Sequence, residues 1–153
     1  MGDTKVTKET RGFTLIELIV VILVLGILAA IAAPRFIGLT SQARAAALSG
    51  LRAAVSSAAT LANALTVAQG NTANQPIVIE GNQTVLMNNY YPSQSGGGID
   101  AAVRFDPATF STIGTMSFRV TAAPSNAFCA FLYTQAPSTT QPATIGTAVT
   151  TGC

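Results

Sequence analysis

The sequence predicts an α+β protein: a long N-terminal α-helix, apolar in its first half and amphipathic in its second, packed on a small antiparallel β-sheet of about four strands. Three observations lead there. An apolar run fills residues 13–33 with Glu17 as its only charged member, and apolar residues then recur three and four apart through an Ala-rich stretch to residue 69. Beyond Gly70 short β-rich runs alternate with turn residues. Helix followed by strands, rather than the two interleaved, is the α+β pattern.

Residues 1–12 stand apart from this fold. They are polar, carry Lys5, Lys8 and Arg11 against Asp3 and Glu9, and lack hydrophobic periodicity, so they read as a targeting leader. The apolar run that follows, wound as a helix rising ~1.5 Å per residue, matches the ~30 Å core of a bilayer. It is long enough to cross a membrane once. The basic leader should then stay in the cytoplasm and place everything after Pro34 outside. Ala30-Ile31-Ala32 resembles the small-x-small site of a signal peptidase, which would discard the run, but Glu17 inside it and Pro34 close behind argue against that cut.

From residue 35 to 69 the apolar positions Leu48, Leu51, Val55, Ala58, Ala62 and Leu65 form one stripe. Ser49, Arg52, Ser56, Thr60 and Asn63 fall on the other side, and Gly70 supplies a C-terminal cap. Residues 77–80 and 83–87 flank Gly81-Asn82, a two-residue hairpin signal. A loop over 88–100 contains Pro92 and Gly96-Gly97-Gly98; residues 115–121 and 127–134 alternate as paired strands, and the Thr-rich tail from 138 adds an edge. The expected divisions are therefore 1–12, 13–34, 35–69 and a head over 70–153.

Composition excludes several functions. The chain has no histidine, the commonest general base and metal ligand, so catalysis is a poor expectation and no catalytic residue is assigned. Five arginines after the leader are scattered rather than clustered, which argues against a specific nucleic-acid partner. Asp100 and Asp106 are too few for a calcium cage, the glycine triplet lacks the Gly-Lys-Ser/Thr end of a phosphate loop, and no cofactor or metal is implied. Asn82-Gln83-Thr84 matches a glycosylation sequon, a pattern short enough to arise by chance. Cys129 and Cys153, downstream of a membrane-directed segment, favour a disulfide in an oxidising compartment over two buried thiols.

The segment Arg11-Gly12-Phe13-Thr14-Leu15-Ile16-Glu17-Leu18, running straight into the apolar stretch, carries the functional signal. A carboxylate there costs a few kcal/mol in a bilayer, and such residues are usually functional. A helix end whose carboxylate reaches the interface is the plainer alternative. This segment resembles the signature of type IV prepilins, with glycine before the cleavage point, phenylalanine after it and a glutamate four residues on. The resemblance implies cleavage after Gly12 by a membrane aspartyl peptidase, the prepilin peptidase, with N-methylation of the new amine on Phe13. It also implies that Glu17 neutralises the terminal amine of a neighbouring subunit during assembly, and that Gly26 and Pro34 are the helix-weakening pair, between which the helix should kink or open.

More loosely, the pair Cys129 and Cys153 resembles the disulfide loop of type IV pilins. The segments around Cys129 and at Thr150-Thr151-Gly152-Cys153 are most similar to mannose-sensitive haemagglutinin pilins of Gram-negative bacteria. The twelve-residue leader is longer than the commonest short ones. The resemblance implies a homopolymeric pilus subunit for surface attachment and biofilm formation, held in the inner membrane before assembly and extracellular afterwards. Its implied partners are the prepilin peptidase, an inner-membrane assembly platform and minor pilins. Two further classes share the N-terminal signature: a type II secretion pseudopilin, typically with a calcium loop in place of the disulfide, and a DNA-uptake pilin.

Overall fold

The computed structural model describes residues 12–153; the expected leader, Gly12 excepted, lies outside the described residues. The chain divides into two compact units, with the boundary between Leu39 and Thr40. Helix α1 spans Leu15–Ala68 and belongs in part to each.

In the first unit α1 is helical through both Gly26 and Pro34. Proline removes one backbone donor, and the alanines that precede it, Ala29, Ala30, Ala32 and Ala33, are the best helix formers. Leu15, Ile16, Leu18 and every large apolar side chain on to Leu28 and Ile31 are exposed, which no water-soluble helix would tolerate. This is the one helix among the described residues long and apolar enough to cross a membrane, by length and composition.

In the second unit α1 presents a buried stripe of Leu48, Leu51, Val55, Ala59, Ala62 and Thr66. Leu48, Leu51, Val55 and Ala62 are positions the spacing predicted. The last turns differ: Ala59 and Thr66 are buried where Ala58 and Leu65 were expected, and those two sit at the stripe's edge. A 3.6-residue period starting at Leu48 arrives at 59 and 66, so helix geometry outweighed the greater hydrophobicity of Leu65. Thr66 is tolerated there because its hydroxyl donates to the Ala62 carbonyl at 2.8 Å. Gly70, at φ 67°, ends the helix: the Asn71 N–H bonds the Thr66 carbonyl and the Gly70 N–H bonds that of Val67, each at 3.1 Å. That pair of bonds is a Schellman cap.

Two small sheets and one larger sheet follow. The predicted hairpin forms as β1 (Ile77–Ile79) and β2 (Gln83–Val85). Its register closes at Ile79 and Gln83, so the turn holds three residues rather than two, with Gly81 and Asn82 both left-handed. It does not join the main sheet. Instead Ile77 and Val85 pack with Met87 and Ala62 in a small separate cluster. Strands β3 (Met87–Asn88) and β4 (Tyr91–Pro92) pair with each other, and the short helix α2 (Ile99–Ala102) follows. The glycine triplet is tied down: Gly97 O accepts from Leu86 N–H, and a Cβ on Gly98 would collide with the Ser93 carbonyl.

The main sheet runs in the order β5-β6-β7-β8, all antiparallel, over Phe110–Ile113, Ser117–Val120, Ala130–Thr134 and Thr144–Ile145. Four strands were expected, but membership differs: β5 takes the place assigned to the hairpin. Phe118 and Phe131 face each other across β6 and β7 with ring centroids 5.2 Å apart, and Phe105 meets Phe118 edge-on at 5.8 Å. With Tyr133, Val120 and the stripe residues Leu48, Leu51, Val55 and Ala59 they form the main core.

Candidate functional site

Thr14, Leu15, Ile16 and Glu17 open α1 in a reciprocal cap. The Thr14 hydroxyl accepts from the Glu17 N–H at 3.3 Å, while Glu17 Oε2 accepts from the Thr14 N–H at 2.9 Å and from its hydroxyl at 2.7 Å. Such a capping box satisfies two of the donors that a helix start leaves unpaired. Among the described residues Oε1 has no hydrogen-bond partner, so an ionised carboxylate with room for about four donors retains one free oxygen there. Glu17 is exposed and shares a shallow depression on the helix surface with Phe13, Ile16, Val20 and Val21. The Thr-x-x-Glu spacing was present in the sequence as a cap signal, yet Thr14 was given no role there.

Gly12 and Phe13 precede this cap and are exposed. Nothing lies within 4 Å of where a Cβ on Gly12 would sit, and the same holds for Gly26. No contact among the described residues calls for glycine at either place.

At the far end Cys129 and Cys153 form a disulfide with Cα atoms 4.8 Å apart, both sulfurs inside the main core. The tail between them is fastened by more than that bond. Arg44 donates to the Cys153 main-chain oxygen at 2.9 Å, and Arg52 donates to the Gly146 carbonyl at 2.8 Å. Ala130 and Val149 exchange two backbone hydrogen bonds, at 3.1 and 2.8 Å. Gly152 is required for the closure, because a Cβ there would collide with the Ser125 carbonyl and press on Phe128. Spacing alone placed Arg52 on the polar side of α1 but gave no sign of the distant carbonyls it holds.

The β3–β4 region is clasped to the sheet as well. The Tyr133 hydroxyl, fully buried, donates to the Pro92 carbonyl at 2.7 Å. Burial, then the neighbouring Tyr91, hold its ionisation well above the ordinary phenol range.

The described residues thus combine an exposed apolar helix, long enough to cross a membrane and headed by a single capped carboxylate, with a disulfide-closed β head. Residues 7–33 match the family described as the prokaryotic N-terminal methylation motif. Over 54 residues the chain is 56% identical to the type IV narrow pilus major component PilA5 of Thermus thermophilus, a match covering 35% of this chain and 47% of that protein. The chain thus spans about half the length of this relative. No solved structure matches the chain. The motif and the identity together support the type IV pilin family, and the long helix packed with antiparallel sheets is the α+β arrangement consistent with it.

Proposed function

We propose that this chain is the subunit of a type IV pilus, made as a membrane-anchored precursor and polymerised into an extracellular filament that serves attachment and biofilm formation. The observation that carries the reading is the head of α1: apolar side chains exposed on every side, and one carboxylate with a free oxygen. The prepilin peptidase removes residues 1–12 after Gly12 and methylates the amine of Phe13. That amine, on a neighbouring subunit, fills the free oxygen of Glu17. In the water-poor interior of a bundle such a pair is far stronger than at a surface, while either charge alone is costly. Thr14 holds the carboxylate at the helix start and shares its charge until a neighbour arrives. Gly26 and Pro34 supply the segment that yields when helices pack, so opening there belongs to the assembled state. The assembly platform and minor pilins act on the membrane-held form.

The test is the mature N-terminus. Filaments sheared from cells and analysed by peptide mass spectrometry should yield a chain starting at methylated Phe13. A chain starting at Ala33, or an intact leader in the filaments, would end this reading. A secretion pseudopilin would give the same terminus without filaments on the cell surface.

A further inference from the structure

The head carries an open groove of about 650 Å³ that the site described above does not use. Its walls come from α1 (Leu61, Leu65), the hairpin (Val78, Glu80) and the segment around α2 (Asp100, Arg104). Leu61 is 70% exposed and Val78 53%, so apolar surface has been left to solvent at a place where the fold offers a concavity to cover it. Two acidic groups accompany it. Glu80 is exposed, with no side-chain hydrogen bond among the described residues; Asp100 accepts from the Gly97 N–H through Oδ2, while its Oδ1 is buried without a partner among them. A buried acceptor in that state costs stability until a donor reaches it.

The complementary surface is on the same chain. Among the described residues the positive side chains are five arginines. Arg44 and Arg52 are engaged with tail carbonyls, Arg119 reaches the Ser117 hydroxyl at 3.4 Å, and Arg104 lines the groove itself. Arg35 remains, exposed and without a hydrogen-bond partner among the described residues, flanked by exposed Ile31, Phe36 and Leu39, with Phe36 at 64%. One cation set among apolar side chains fits one apolar groove set with carboxylates. A contact between two different patches of identical chains propagates head to tail, into a ring where the rotation closes and into a helical polymer where it does not.

We propose that the groove seats the Ile31-to-Leu39 stretch of a second copy, with its Arg35 paired to Glu80 and drawn by Asp100, and its Phe36 and Leu39 covering Leu61 and Val78. This rests on the polymer reading above. It adds a head-to-helix contact, separate from the Glu17 pair, that sets which neighbour a head recognises. Charge pairing of this kind selects the partner and its register, because juxtaposed like charges suppress the wrong pairings.

The full chain, expressed in its own piliated cells, provides the test. Arg35→Glu and Glu80→Arg should each lower sheared surface filaments by about tenfold or more, and the double variant carrying both should restore them. Both positions are exposed, and formation of the Cys129–Cys153 bond in the membrane fraction reports that the head still folds. In parallel, a photo-crosslinking residue at Leu61 in assembled filaments should capture the tryptic peptide 36–44 of another copy. Single variants that assemble normally, a double variant that stays deficient, or crosslinks elsewhere, including to a small ligand or a different protein, would overturn the proposal while leaving the pilus reading in place. Absence of filaments from the wild type would overturn both.

Discussion

Removing the disulfide, in a Cys129→Ala/Cys153→Ala variant, should cost the head a large share of its stability, and the structure indicates where the loss appears first. The bond joins residues 24 apart, and tethering a loop of that size restricts the unfolded chain by about 3 to 4 kcal/mol. Total stabilities run to about 5 to 15 kcal/mol. Working against a complete loss are the other fastenings of the tail: Arg44 and Arg52, the Ala130–Val149 pair, and the Gly152 N–H on the Phe128 carbonyl at 2.9 Å. These are backbone and charge-assisted bonds worth about 0.5 to 3 kcal/mol each, and they keep the tail docked only while they act together. We therefore expect the variant to fold, with the tail opening ahead of β6 and β7. The fragment 40–153 contains both cysteines and every contact named here. With a guanidinium m-value of about 3 kcal/mol/M, its unfolding midpoint should fall by roughly 1 M. Hydrogen exchange at Gly146, Val149 and Gly152 should accelerate well beyond that at Phe118. A midpoint shift under about 0.3 M with unchanged exchange in the tail would show that the bond adds no restraint to what the arginines already supply, and the argument would fail.

Gly152→Ala should hinder the same closure from the other direction: its Cβ meets the Ser125 carbonyl and Phe128, so thiol labelling without prior reduction should find reactive Cys129 and Cys153 in the variant and none in the wild type. Tyr133 sets an alkaline limit. Its folded-state ionisation lies above the ordinary value of about 10, so the unfolded chain loses its proton first and stability falls as pH rises beyond about 10, with no contribution to pH dependence below it. Tyr133→Phe should lose about 1 to 3 kcal/mol at pH 7 by stranding the Pro92 carbonyl, yet show a flatter alkaline limb in denaturation midpoints between pH 7 and 11. Glu17→Val should insert into the membrane as well as the wild type or better and give few or no filaments; Thr14→Ala, which removes the cap at a cost of about 1 kcal/mol, should give an intermediate yield in the same shearing assay.

Local signals were legible where one residue type answers one geometric demand. Gly70 had to be the cap because a left-handed residue ends α1, and Gly81-Asn82 had to turn because both adopt positive φ. The main sheet was harder to read. Strand β5 begins at Phe110 beside the Asp106-Pro107 turn, where the Asp106 carboxylate accepts from the Ala108 N–H and the Thr109 hydroxyl, and its four residues bury too little to alternate visibly. The hairpin showed a sound pattern but no information on its partner, which proved to be the Ala62 end of the helix rather than β6. At the candidate site the Glu17 anomaly was plain from composition alone. The partnership with Thr14, and the grip of Arg44 and Arg52 on the tail, depend on hydrogen-bond geometry that periodicity does not encode.

The two parts of α1 require different surroundings, and that difference bears on how a polymer of this chain could form. Along residues 40–68 a single stripe is buried by the head, so that part is satisfied within one subunit. In the first unit the large apolar side chains from Leu15 to Ile31, and then Phe36 and Leu39, are exposed. Lipid satisfies such a surface, and so do other copies of the same helix. Because lipid tails are as apolar as leucine, moving the helix from one to the other yields little hydrophobic gain. On the filament reading, the preference must come from the groups that lipid treats badly. Within residues 15–33 Glu17 is the one ionisable side chain, half-satisfied by Thr14 and one donor short among the described residues. A neighbour's amine supplies that donor and lipid cannot, so a carboxylate that weakens insertion favours assembly, and an apolar substitution at Glu17 should trap the subunit in the membrane rather than unfold it.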